Sequence, residues 1–145
     1  MTTDYSKLSV AEIMTKDVMS VGENTTIIDL LKLFRKYHYH SYPVISQTGE
    51  LVGIISEDIV LEILMFNQMP AYEHTLLSVI RSCSDVAGGI MTTHPVTVSQ
   101  DASLSETADL MLKHHVHRVY VVDKGKLVGI LSKRDIVNEI CKRRE

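Results

Sequence analysis

The chain repeats itself. Ile13-Met14-Thr15 recurs 77 positions later as Ile90-Met91-Thr92, and the same displacement aligns Val21 with Val98, Leu33 with Leu110, Lys36 with Lys113, His38 with His115, His40 with His117 and Val44 with Val121. One residue is then lost in a turn, after which Gly49-Glu50-Leu51-Val52-Gly53-Ile54-Ile55-Ser56 faces Gly125-Lys126-Leu127-Val128-Gly129-Ile130-Leu131-Ser132 with six identities in eight. A compensating slip brings Asp58-Ile59-Val60 opposite Asp135-Ile136-Val137 and Glu62-Ile63 opposite Glu139-Ile140. Twenty matches in 48 aligned positions far exceed the roughly one in fifteen that average residue usage gives by chance. A duplication of this length restricts the fold to two copies of one small supersecondary unit that bury their apolar faces together.

Each copy has the same coarse pattern. A short apolar stretch, Val18 to Val21 or Val96 to Val98, precedes a helix whose start is marked by Thr25 or Thr26 in one copy and by the capping-box spacing Ser103-Leu104-Ser105-Glu106 in the other. Ile27, Leu30, Leu31 and Phe34 share one helical face, as do Leu104, Ala108 and Met111. Two β-branched runs joined by a glycine turn follow: Tyr42 to Ile45 with Leu51 to Ile55, and Val119 to Val122 with Leu127 to Leu131. A last amphipathic helix starts at Asp58 and again near Lys133. The expected architecture is α+β, two tandem β-α-β-β-α repeats packed sheet to sheet with pseudo-two-fold symmetry. Residues 1–66 form the first repeat, 67–85 an inserted helical connector and 86–145 the second repeat. Within the connector, Asn67-Gln68-Met69-Pro70 ends the preceding helix, and Tyr72, Leu76, Val79 and Ile80 predict a further helix that covers core or forms a dimer surface.

Composition narrows the function. At 145 residues with 45% apolar and 23% charged side chains, the chain has the make-up of an ordinary globular domain. No apolar run approaches the ~18 residues of a membrane span; the longest, Ile59 to Phe66, is interrupted by Glu62. The N-terminal residues lack the apolar block of a secretory leader, and Cys83 and Cys141 read as reduced thiols, so a cytoplasmic setting is expected. The net charge of -3 conceals an asymmetry: residues 1–85 hold 6 Lys+Arg against 11 Asp+Glu, and residues 86–145 hold 9 against 7. Neither half has the basic run of a nucleic-acid binder.

The order Ile-Met-Thr, the strand Val96-Thr97-Val98, a helix, Arg118-Val119-Tyr120-Val121-Val122-Asp123 and Gly129-Ile130-Leu131-Ser132-Lys133-Arg134-Asp135 resembles the cystathionine β-synthase (CBS) domain. Two in tandem, over about residues 8–140, resemble the CBS pair called a Bateman module. The resemblance implies clefts that bind an adenosine-bearing ligand such as AMP, ADP, ATP or S-adenosylmethionine. It also implies pairing into a homodimer, regulation of an enzyme or transporter, and no catalytic role. The alternative is a dimerisation or interaction module whose clefts are degenerate.

Residue chemistry favours one cleft over the other. Ser132 to Asp135 stand where a strand becomes a helix, and a helix N-terminus offers free amides and partial positive charge to phosphate. Ser132 can cap the helix or bind a phosphate oxygen, and Asp135 can accept from a ribose diol, the role the resemblance gives this position. Lys133 and Arg134 are cations at the wrong helix end unless an anion joins them, and Arg118 adds a second fork. The resemblance places adenine against Thr92, Thr93, His94, Pro95 and Val96 with help from Ile130. In the first copy the matching residues are Thr15, Lys16, Asp17, Val18, Ser56 and Asp58. There Ser56-Glu57-Asp58 is one residue short of Ser-x-x-Asp, carries acids in place of Lys133 and Arg134, and has Ser41 in place of Arg118. A weaker cleft, empty, structural or reserved for a less anionic adenosine ligand, is expected there.

Seven histidines invite a metal reading, above all His38 with His40 and His114, His115 with His117. They stand at a helix-to-strand junction in both copies without a Cys-x-x-Cys partner, so no metal is expected. Enzyme signatures are missing as well: there is no Gly-x-x-x-x-Gly-Lys, Gly-x-Gly-x-x-Gly or Gly-x-Ser-x-Gly sequence.

Overall fold

The structure, a computed structural model, describes residues 7–144, with the side chains of Asn67 and Ile80 left out. Residues 1–6, which bear on the expectation about a leader, and Glu145 lie outside the described residues, as does the side chain of Ile80 in the expected connector helix. The elements are α1 (Val10–Ile13), β1 (Val21–Gly22), α2 (Ile27–Lys36), β2 (Ser41–Ile45), β3 (Leu51–Ser56), α3 (Glu57–Met65), α4 (Leu76–Ser82), α5 (Ala87–Ile90), β4 (Thr97–Ser99), α6 (Leu104–His114), β5 (Arg118–Asp123), β6 (Lys126–Ser132) and α7 (Lys133–Arg144). The order from β1 to α3 repeats from β4 to α7 as β-α-β-β-α.

Each sheet has three strands, ordered β1-β2-β3 and β4-β5-β6, with the first pair parallel and the second antiparallel. The repeat holds at the level of register: Val21 pairs Val44 as Val98 pairs Val121, and the register shifts after Val44 as it does after Val121. The lost residue lies in the hairpin turn. The second copy closes on two residues, Lys124 and Gly125, both in the left-handed region at φ 53° and 83°, as a tight hairpin requires. The first copy takes a longer turn in which Ser46 N donates to Glu50 O at 2.9 Å and Gly49 turns at φ 86°.

The chain forms two compact units, and these do not coincide with the sequence copies. One unit holds residues 19–94; the other holds the N-terminal residues up to Val18 together with Pro95 onward. The reason is an exchange of the Ile-Met-Thr segments. In the first-sheet unit, Leu30, Tyr42, Val44 and Ile55 bury against Ala87 and Ile90 of α5, which belongs to the second copy. In the second-sheet unit, Leu104, Met111, Val119, Val121 and Leu131 bury against Val10 of α1, which belongs to the first. Two glycines explain why this segment and the Val-Gly-Ile strand recur together. A Cβ on Gly53 would stand 2.6 Å from Met91 Sδ and 2.8 Å from the Thr92 carbonyl oxygen; on Gly129 it would stand 2.5 Å from Met14 Sδ and 3.1 Å from the Thr15 carbonyl oxygen. Each methionine lies in the space that only glycine leaves.

The connector departs from expectation. Tyr72 lies in a single 3-10 turn, Ala71–Glu73, and the helix begins only at Leu76. The break has a local cause: Thr75 N donates to Ser78 Oγ at 2.9 Å and Ser78 N to Thr75 Oγ1 at 3.0 Å, a reciprocal cap that fixes the helix start. Nor does α4 cover core with Leu76, Leu77 or Val79. It buries Ser78 and Arg81, whose guanidinium lies 3.7 Å from Glu62 of α3, and leaves Leu76, Leu77 and Val79 exposed.

Candidate functional site

The second-sheet unit gathers most of the residues singled out for phosphate and ribose. Arg118 opens β5 directly across from Ser132, the last residue of β6. Lys133 N donates to His117 O at 2.9 Å, so the strand entry and the helix start are held together. Ser132 and Asp135 cap α7 reciprocally: Asp135 N donates to Ser132 Oγ at 3.1 Å and Ser132 N to Asp135 Oδ2 at 2.9 Å. The capping role is therefore structural, worth about 1 kcal/mol, and it leaves Asp135 Oδ1 to accept from a ligand. Around this turn Arg118 and Lys133 are half-buried and Arg134 is exposed. Among the described residues none of the three has a carboxylate within ion-pair distance.

The apolar side of this unit is a row across the sheet. Val96 O accepts from Tyr120 N at 3.2 Å, Tyr120 is in register with Ile130, and Ile130 exchanges both backbone hydrogen bonds with Thr15 at 2.9 Å. Thr15 and Val96 thus flank Tyr120 and Ile130, two residues along from Arg118 and Ser132. Lys16, Asp17 and Val18 continue from Thr15, and Pro95 precedes Val96 in the same unit.

The first-sheet unit holds Thr92, Thr93 and His94 with Ser56 and Asp58. Thr92 exchanges backbone hydrogen bonds with Ile54, at 2.8 and 2.9 Å. The sequence grouping placed Thr92 to Val96 as one segment beside Ile130; the backbone partner of Ile130 is Thr15, and Thr92 to His94 belong with Ile54. Ser56 Oγ caps α3 by accepting from Ile59 N at 3.3 Å, and with Ile59 at the third position no carboxylate returns the bond. Glu57 N donates to His40 O at 3.0 Å, the counterpart of Lys133 and His117, and Glu57 Oε2 lies 3.6 Å from His40 Nδ1. The exposed acids Glu57 and Asp58 occupy the places of Lys133 and Arg134, one residue out of step for Asp58 relative to Ser56.

The paired histidines now have local explanations. The carbonyls of His40 and His117 receive the first amide of α3 and α7, and His115 ends α6 in the left-handed conformation at φ 54°. Among the described residues, no group of three or more His, Cys, Asp and Glu side chains is arranged to hold a metal.

Sequence reasoning did not find a cleft of about 750 Å³ lined by Ser20 to Thr25 and Ile45 to Thr48. It opens where β1 and β2 end, whereas Ser56 lies at the opposite end of the antiparallel β2–β3 pair, where it faces Ser41. Only the polar turn residues of Ser46-Gln47-Thr48 mark it in the sequence, and such residues are ordinary loop punctuation.

A duplicated β-α-β-β-α unit with exchanged N-terminal segments, and a strand-to-helix turn carrying Ser-x-x-Asp, defines a tandem-repeat module of two equivalent units. The CBS domain model matches residues 10–65 and 84–142, and the chain belongs to the CBS-domain family as a tandem pair, a Bateman module. An uncharacterized protein of Methanocaldococcus jannaschii is 32% identical over 97% of this chain and 99% of its own length. The chain spans only about three fifths of two other relatives, from Methanopyrus kandleri and Arabidopsis thaliana. Among solved structures, CBSX2 of Arabidopsis thaliana in complex with AMP is 28% identical, covers 94% of this chain and 98% of its own, and superposes with a TM-score of 0.79. A CBS domain pair in complex with 5′-methylthioadenosine and S-adenosyl-L-methionine is 25% identical over 92% of this chain and 99% of its own, with a TM-score of 0.70. Among the described residues no helix is long and apolar enough to cross a membrane.

Proposed function

We propose that this chain is a regulatory module that binds an adenosine-bearing ligand, with its phosphate-competent site in the second-sheet unit. The observation that carries the reading is the turn at Ser132: Arg118, Lys133 and Arg134, three cations with no carboxylate within ion-pair distance among the described residues, surround a capped helix N-terminus beside the Asp135 Oδ1 that the cap leaves over. Phosphate relieves the cations and takes the helix end; Asp135 Oδ1 accepts from the ribose hydroxyls. Adenine lies against Ile130 and Val96 with Thr15 to Val18 beside them, in place of Thr92 to His94. The AMP and S-adenosylmethionine complexes of relatives support this ligand class. Ligand binding shifts the module between conformations of different affinity, and a homodimer in the cytoplasm presents that state to an enzyme or transporter. The module itself is not a catalyst.

One observation favours the interaction-only alternative for the first-sheet unit: Ser56 lacks a reciprocal partner and Glu57 and Asp58 repel phosphate. That site is degenerate or takes a less anionic ligand.

The test is mass spectrometry of the purified protein for retained nucleotide, then melting curves with AMP, ADP, ATP, S-adenosylmethionine and zinc. A ligand at 100 times its Kd stabilises by about 2.7 kcal/mol, which for a chain of this size is about 10 °C in Tm. Asp135→Ala and Arg118→Ala are expected to abolish most of that rise, each measured against its own ligand-free Tm. No response to any adenosine compound overturns the reading in favour of an interaction module.

A further inference from the structure

The hairpin turn that is longer in the first copy borders the cleft of about 750 Å³, which lies wholly within the first-sheet unit at the ends of the parallel strands β1 and β2. Its two walls are loops closed on themselves. In one, Gly22 N donates to Thr25 Oγ1 and Thr25 N to Gly22 O, each at 3.1 Å. Ala87 N and Gly88 N of α5 hold that loop in place by donating to Thr25 O and Glu23 O at 2.8 Å. In the other wall Ser46 N donates to Glu50 O at 2.9 Å, Glu50 N donates to Ser46 Oγ at 3.2 Å, and Thr48 Oγ1 lies 3.1 Å from Ser46 Oγ. Both walls are thus fixed by their own hydrogen bonds, so a ligand entering the cleft has little loop ordering to offset. The volume is that of a small-molecule site.

The groups that the loops leave over set the chemistry. The half-buried Ser20 hydroxyl, the Glu23 carboxylate and the exposed Asn24 and Gln47 amides line the cleft without a side-chain hydrogen bond or ion pair to any described residue. No Lys or Arg lines it, and the chain has none from Asp17 to Leu31 or from Tyr37 to Ile80. An anion would meet Glu23 and no cation. A divalent cation is held by several oxygens with charge to match and would meet one carboxylate. An ammonium group only donates, which leaves the amide N–H groups of Asn24 and Gln47 without an acceptor. A hydroxyl both donates and accepts, and two adjacent hydroxyls match the two oxygens of a carboxylate. Half-buried Ile45 adds apolar surface for the C–H groups between them.

We propose that this cleft binds an uncharged polyhydroxylated molecule of monosaccharide size, with Glu23 accepting from a pair of adjacent hydroxyls and Asn24, Gln47 and Ser20 bonding the others. The cleft stands at the opposite end of the β2–β3 pair from Ser56, and the proposal is independent of the adenosine site.

The experiment is a titration of the ¹⁵N-labelled full chain with D-glucose, D-ribose and myo-inositol, read by amide chemical shifts, with spermidine and inorganic phosphate as cationic and anionic probes. Saturable shifts confined to residues 20–25 and 45–48 are expected with at least one polyol. Its Kd should rise by about tenfold in Glu23→Ala and about threefold in Gln47→Ala, as the loss of a charged and of a neutral hydrogen bond implies. Both side chains are exposed, so the spectra of the variants should match the wild type elsewhere, which separates lost binding from misfolding. Shifts at these amides that spermidine or phosphate equals or exceeds overturn the ligand class. No saturable shift with any polyol, or a polyol Kd unmoved in both variants, overturns the site. AMP, in a separate titration, reads the turn at Ser132, so that reading stands or falls apart from this one.

Discussion

Replacing Gly53 with alanine tests the central structural claim, that Ile-Met-Thr is a clip seated on a strand glycine. The added Cβ would meet Met91 Sδ at 2.6 Å, Met91 Cγ at 2.8 Å and the Thr92 carbonyl oxygen at 2.8 Å. A methionine side chain can turn away. The carbonyl cannot, because it accepts from Ile54 N at 2.9 Å and moving it breaks the bridge that docks the segment. Overpacking of this kind costs about 1–3 kcal/mol, and loss of a bridge hydrogen bond adds about 1 kcal/mol. At about 4 °C per kcal/mol, Gly53→Ala should lower Tm by about 8–16 °C. Gly129→Ala should cost less, about 4–8 °C, because its backbone neighbour, Thr15 O, is 3.1 Å away and the closer atoms are those of Met14. Gly22→Ala is the control: its nearest neighbour is Thr25 Oγ1 at 3.8 Å, an ordinary contact. Adding Met14→Ala to Gly129→Ala should recover part of the loss, whereas Met91→Ala should recover little in Gly53→Ala. Differential scanning calorimetry of the five variants reads the series directly. Equal melting of the Gly53, Gly129 and Gly22 variants would refute the clip.

Three further outcomes follow from individual contacts. Tyr42 is fully buried and its hydroxyl donates to Leu33 O at 3.0 Å, so Tyr42→Phe should cost about 1 kcal/mol in urea unfolding. Burial first, then the neighbouring Tyr39 and Tyr37, raise the Tyr42 pKa above its ordinary 10.0. The unfolded chain therefore loses this proton before the folded one does, and the Tyr42 contribution is complete below pH 10.0 and declines as the pH rises through the folded value. Melting curves between pH 8 and 11 should fall less steeply in Tyr42→Phe than in the wild type; parallel curves would contradict this. Ser132→Ala and Ser56→Ala each remove a helix cap and should cost about 1 kcal/mol, but only Ser132→Ala should also weaken the Tm response to AMP.

The elements were legible because each rests on local chemistry. Thr26 accepts from Asp29 N at 3.2 Å and Ser103 from Glu106 N at 3.1 Å, as the capping patterns at those positions predict. Register was legible too, since the constant displacement that aligns Val21 with Val98 and Val44 with Val121 is carried over as identical strand pairing. The connector was harder to read. Its apolar spacing predicts a helix with Tyr72 and Leu76 on one face that covers core or forms a dimer surface. The Thr75–Ser78 cap cuts that pattern, and a partly buried Arg81–Glu62 pair turns the polar face inward. Hydrophobic periodicity locates a face; it does not say whether that face meets the protein's own core or solvent.

The composition of the candidate site was illegible for a different reason, and one particular to a duplication. Every contact that seats Met14 and Thr15 on Gly129 and Ile130 has its double in Met91 and Thr92 on Gly53 and Ile54. A segment docked on the sheet of its own copy would satisfy the same motifs, the same glycine and the same backbone bridge. Motif chemistry is therefore symmetric between the two groupings, and only the path of the chain decides between them. That path turns at two equivalent places, after Val18 and after His94, the latter in the left-handed region at φ 59°. At each of them the chain leaves the sheet that its Ile-Met-Thr segment docks on and enters the sheet of its own copy. Thr15 thereby joins the turn that holds Arg118, Ser132 and Asp135, and the charge difference between the copies is expressed in sites that each draw on both.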